Sequence, residues 1–67
     1  MILAKYQDIV LEHYDMNDTY VVRGTFGNKM YAKNLSLESM IKAFENVVAE
    51  LYNVDISVKK EVMKHEN

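Results

Sequence analysis

The chain has no cysteine, no proline and only two glycines in 67 residues. Without cysteine, no disulfide and no thiolate metal site can staple so short a chain. Two histidines, His13 and His65, do not make a zinc centre without carboxylate help. The lack of proline and the scarcity of glycine argue against a linker and against disorder. No apolar run approaches the ~20 residues of a membrane-spanning helix. The first residues, Met-Ile-Leu-Ala-Lys, lack the charged-then-apolar order of a signal peptide. A soluble cytoplasmic protein is expected, with no membrane partner. A large excess of charge is also missing. Eight Lys and Arg against ten Asp and Glu give a net charge of −2, which excludes a strongly basic nucleic-acid binder and an extreme DNA mimic. Residues 1–67 are expected to form a single domain. Chains this short bury only about 60% of their unfolded surface, so a homodimer is the expected added stabiliser.

What the chain does have is one strong helical pattern, Ser36 to Asn53. Leu37, Met40, Ile41, Phe44, Val47, Val48, Leu51 and Tyr52 recur at spacings of three and four and share one stripe. Glu38, Lys42, Glu45, Asn46 and Glu50 take the opposite side. Ser36 is placed to cap the N-terminus, Leu35 and Met40 to form a hydrophobic staple, and Asn53 to stop the helix in the left-handed region. Glu38 sits where the helix dipole favours an acid, one turn before Lys42.

Before the helix the residues favour strands. Ile2 to Tyr14 fits either a helix or a strand. The turn signal at Asp15-Met16-Asn17-Asp18, directly before an evident strand, favours a strand from about Tyr6 onward. Thr19 to Phe26 is rich in β-branched and aromatic residues. Gly27-Asn28 marks a tight turn, and Lys29 to Asn34 returns. A three-residue loop, Phe26-Gly27-Asn28, would put Tyr20, Val22, Gly24, Met30 and Ala32 on one face. Val21, Arg23, Thr25, Lys29, Tyr31 and Lys33 would take the other. Gly24 on the inner face would then let the helix approach closely. After the helix, Val54, Ile56, Val58 and Val62 alternate with polar residues and predict a further strand. The expected class is α+β, a two-layer β-β-β-α-β arrangement with an antiparallel sheet covered by one amphipathic helix.

Motifs for chemistry are sparse. Asp15-x-Asn17-Asp18 has the opening of a calcium loop but puts Tyr20 and Phe26 where the glycine and the bidentate glutamate belong. It therefore reads as a solvated turn. His13 has no nucleophile or metal-ligand spacing around it and reads as a half-buried strand histidine. No Gly-rich phosphate loop is present. Neither a cofactor nor an enzymatic activity is expected. The outer hairpin face is the candidate partner-binding site: Arg23, Lys29 and Lys33 around Tyr31, a grouping that suits RNA bases, phosphate or an acidic protein. The ordinary alternative is that these lysines solvate the sheet and blunt its edge. The acidic helix exterior makes the molecule two-sided in charge, which fits steering toward a protein better than uniform DNA binding.

The run from Tyr20 to Tyr52 resembles the HicB antitoxin family. The shared outline is a Tyr-Val-Val strand start (Tyr20, Val21, Val22), a glycine-containing turn (Gly27) and a Ser-Leu-Glu helix cap (Ser36, Leu37, Glu38). A long amphipathic helix ending in Leu-Tyr completes it. The family's proline-bearing turn has no counterpart here. The resemblance implies a partial ribonuclease-H-like β-β-β-α-β fold, dimerisation, and binding of a small toxin ribonuclease. The expected function is a non-enzymatic module that binds and blocks a partner protein. The first alternative is a phage-type inhibitor of a host enzyme. The second is a nucleic-acid-binding accessory protein using Arg23, Lys29, Tyr31 and Lys33.

Overall fold

The computed structural model describes residues 1–58. Within them, four antiparallel strands form a meander, β1 (Ile2–Tyr6), β2 (Ile9–Tyr14), β3 (Thr19–Gly24) and β4 (Met30–Asn34), followed by helix α1 (Leu37–Tyr52). The expected α+β class, one antiparallel sheet under one amphipathic helix, is what the chain adopts. The order of elements differs: four strands precede the helix. The ambiguous N-terminal stretch is a hairpin rather than one strand, with Gln7 in the left-handed region at φ 54°. Asp8 is a common turn residue, but Gln7, which takes the left-handed conformation, is not. The turn is held from outside, by Thr25 N–H donating to the Asp8 carbonyl at 2.8 Å and by the Tyr52 hydroxyl donating to the Asp8 carboxylate.

The helix starts and stops where its caps direct. Ser36 Oγ accepts from Ser39 N–H at 3.2 Å, and Asn53, at φ 57°, donates its N–H to Ala49. The core lies between Ile9, Leu11 and Val22 on the sheet and Met40, Ile41, Phe44 and Val48 on the helix. The helix packs on β2, β3 and β4. Leu37 and Val47 flank the core half-buried, whereas Leu51 and Tyr52 in the last turn are exposed. Leu35 is also exposed, so the expected staple leaves most of it in water. Beyond the helix, Val54, Ile56 and Val58 pack against the core while Asp55 and Ser57 face out. This is the expected alternation, but residues 54–58 join no ladder. The Val58 N–H donates instead to the Glu45 carboxylate at 2.9 Å. The remainder of the strand expected there, to Val62, lies outside the described residues.

Both outer strands carry an extra residue. In β1 the pairing jumps from Ile2↔Glu12 to Ala4↔Leu11, leaving Leu3 over. In the β3–β4 pair, Val22↔Ala32 is followed by Arg23↔Met30, leaving Tyr31 over. The expected register therefore holds for Tyr20, Val21 and Val22 and breaks at the bulge. The loop is closed by Gly24 N–H to Lys29 C=O at 2.7 Å and has four residues, Thr25 to Asn28, rather than three. Met30 and Tyr31 consequently exchange faces. Tyr31 packs on the core side, and its ring closes over Gly24, where a Cβ would stand 3.4 Å from Tyr31 Cε2. What approaches Gly24 is thus this ring.

Phe44 is sealed in the core while Leu51 on the same stripe is 52% exposed. Phe44→Ala is expected to cost about 3–5 kcal/mol and Leu51→Ala within about 0.5 kcal/mol. Urea unfolding followed by circular dichroism checks both.

Candidate interaction surface

The bulge in β4 divides the four residues expected to form one site. Lys29 and Tyr31 stay together on the helix side, with Lys29 Nζ 5.2 Å from the Tyr31 ring centre. Arg23 and Lys33 lie on the far face, where Arg23 sits opposite Met30 and Lys33 opposite Val21. Arg23 is not a free cation. Its Nε donates to Glu12 Oε1 at 2.8 Å, and an Nη donates to Asn28 Oδ1 at 3.3 Å. The bond to Glu12 raises the guanidinium's pKa further above its already high value, and the Tyr14 hydroxyl adds to the effect.

Under this polar layer Val10 and Val21, the outward residues of the two central strands, have no exposed area. Alternation explains why they lie outside the helix-side core: Ile9, Leu11 and Val22 point to the helix, so their neighbours point away. The two side chains of the Glu12–Arg23 pair are only 17% and 22% exposed. Around them two apolar side chains are open to solvent. Ile2, opposite Glu12, is 51% exposed and Met30, opposite Arg23, is 50% exposed. Lys5 on β1 and Lys33 on β4 stand at its two sides, both in water. Sequence reasoning missed this patch. The available signal was the pair of short apolar-rich runs, residues 2–6 and 9–14, which read together as a hairpin put Ile2 near Glu12.

The two ends of the sheet hold the other polar clusters. At one end Tyr52 reaches from the last helical turn to Asp8 and packs edge-on against Tyr6, with ring centres 5.5 Å apart. Its hydroxyl proton is bonded to Asp8, which raises its pKa above the ordinary 10.0. A shallow cleft of about 330 Å3 opens beside it, bordered by Lys5, Gln7, Thr25 and Phe26. At the other end His13 lies between two turn carboxylates, Nδ1 at 3.1 Å from Asp15 and Nε2 at 2.8 Å from Asp18, and stacks on Tyr20. The Asp15–Asp18 stretch is thus a turn folded onto a strand histidine. The described residues include no cluster of three or more His, Asp or Glu able to hold a metal ion, and no helix there is long and apolar enough to cross a membrane.

Fold and surface together define a β-meander with a helix on one side and a partly apolar, basic-rimmed face on the other. No family model, no curated protein and no solved structure matches the chain.

Two measurements check this geometry. Because the Tyr52 pKa is raised in the fold, its contribution to stability is whole below pH 10.0 and lost as pH climbs through the folded-state value. Urea midpoints should therefore fall more steeply above that pH for the wild type than for Tyr52→Phe. Glu12→Gln strips Arg23 of its carboxylate and lowers the melting temperature, and adding Arg23→Met recovers most of the loss. Equal melts for all three proteins would show that the pair contributes nothing.

Proposed function

We propose that the chain is a small non-enzymatic protein-binding module that acts by contact, covering and blocking a surface of a partner protein. The observation that carries this reading is the outer sheet face. Ile2 and Met30 stand half out of the surface around a sealed valine pair, and the central charge is already neutralised by Glu12 and Arg23. Exposed apolar side chains rimmed by polar ones are the usual make-up of a protein contact.

The contact is through the face rather than an edge. Each edge strand of the described sheet carries a bulge and a lysine, and both devices discourage strand addition. Blocking a toxin, as the likeness to HicB antitoxins implies, is the form of the activity we favour. Blocking a host enzyme would use the same surface. Nucleic-acid binding is less well supported, because Arg23 is engaged by Glu12 and the four candidate residues fall on two faces.

The immobilised chain is expected to retain a specific protein from the source cell's lysate, with retention surviving high salt. Ile2→Asp with Met30→Asp, at two half-exposed positions, is expected to abolish it while the far-ultraviolet spectrum stays unchanged. Retention that these substitutions leave intact, or a nucleic acid retained in place of protein, is the contrary result.

A further inference from the structure

We infer that the outer face of the sheet receives an amphipathic helix of the partner, apolar along its seam and acidic on both flanks. This rests on the binding-module reading above and names the chemistry of the partner.

The argument starts from what is already covered. Among the described residues the inner face of the sheet is taken by α1 and by Val54, Ile56 and Val58, and no helix or strand of theirs lies on the outer face. On it Ile2 and Met30 stand half exposed on the two edge strands, Val10 and Val21 lie between them with no exposed area, and the one central charge pair is closed on itself. A helix laid there buries no unpaired charge, which is the condition under which covering such a pair is tolerable.

The flanks give the sign of the partner. Lys5 sits on one edge strand and Lys33 on the other, and both share the Val10–Val21 face through their pairing with Val10 and Val21. Among the described residues neither makes an ion pair. Three interstrand spacings of about 4.8 Å separate their strands, roughly 14 Å in all. An α-helix with its side chains is about 10–12 Å across. A helix running along the strands therefore fits between the two lysines and brings flanking carboxylates within reach of both ammonium groups.

Two other occupants fit less well. A second copy placing the same face against this one would set lysines against lysines across the interface, where like charges oppose association. Residues 59–67 of the chain carry three lysines against two glutamates and do not complement a lysine-rimmed face.

The test uses the full chain and a labelled helical peptide of about 12–14 residues, three to four turns. The peptide has a Leu/Ile seam and glutamate on both flanks; its control has the same seam with lysine flanks. Fluorescence anisotropy is expected to give the acidic peptide at least a tenfold lower Kd. Lys5→Glu with Lys33→Glu, at exposed positions that leave the core untouched, is expected to reverse the preference. Amide shifts on binding are expected in β1 to β4 rather than α1. The inference is overturned by equal affinity for both peptides, by no binding, by shifts centred on α1, or by a homodimer that Met30→Asp dissociates. If lysate retention still depends on Ile2 and Met30 while the acidic peptide fails to bind, the helix inference falls and the binding-module reading stands. If both experiments fail, both fall.

Discussion

The stripe formed by Met40, Ile41, Phe44 and Val48 has one surface to lie on, the Ile9–Leu11–Val22 side of the sheet. With no disulfide to share the task, burial of this stripe is the main term holding the chain against the entropy of ordering it. Other features depend on it. The caps at Ser36 and Asn53 set the length of helix laid down. The inward tilt of Val54, Ile56 and Val58 extends the same apolar layer past the helix. Because one helix covers one face, the sheet must complete its other face with its own side chains. It does so by closing Glu12 and Arg23 over a pair of valines.

How much of this could be read from the residues depends on where each determinant lies. The helix and both caps were legible because the determinants are local: a 3.6-residue period, a serine hydroxyl three residues from its donor, and an asparagine that tolerates positive φ. The Val22–Ala32 register was legible because only one parity separates apolar from polar residues. The bulge at Tyr31 was not, because a four-residue loop plus one extra residue preserves that parity while exchanging Met30 and Tyr31. Only coordinates reveal the exchange, and it is what divides the expected cluster of Arg23, Lys29, Tyr31 and Lys33. The first hairpin was hidden for another reason. Gln7 takes a left-handed conformation without local encouragement, and the groups that stabilise its turn, on Thr25 and Tyr52, come from distant parts of the chain.

The two bulges act alike. Each lies in an edge strand, and each turns an apolar or aromatic side chain inward, Leu3 in β1 and Tyr31 in β4, where both pack on the core. An edge strand gains a core residue that strict alternation would have sent outward, and its ladder is interrupted at the point where another strand would otherwise add. The outer face is left with Ile2 and Met30 in their place. The candidate surface is thus a by-product of how the core is completed, and the residues that give it apolar character are the ones alternation alone would misplace.

The link between Tyr52 and Asp8 spans 44 positions, whereas the sheet is built from neighbours in sequence order. Ladders of adjacent hairpins close short loops and form early; joining the two distant ends closes a long one and costs more chain entropy. Seating the helical end is thus the step that closes the long loop, and the phenolic tether fastens the first hairpin only once α1 lies on the sheet.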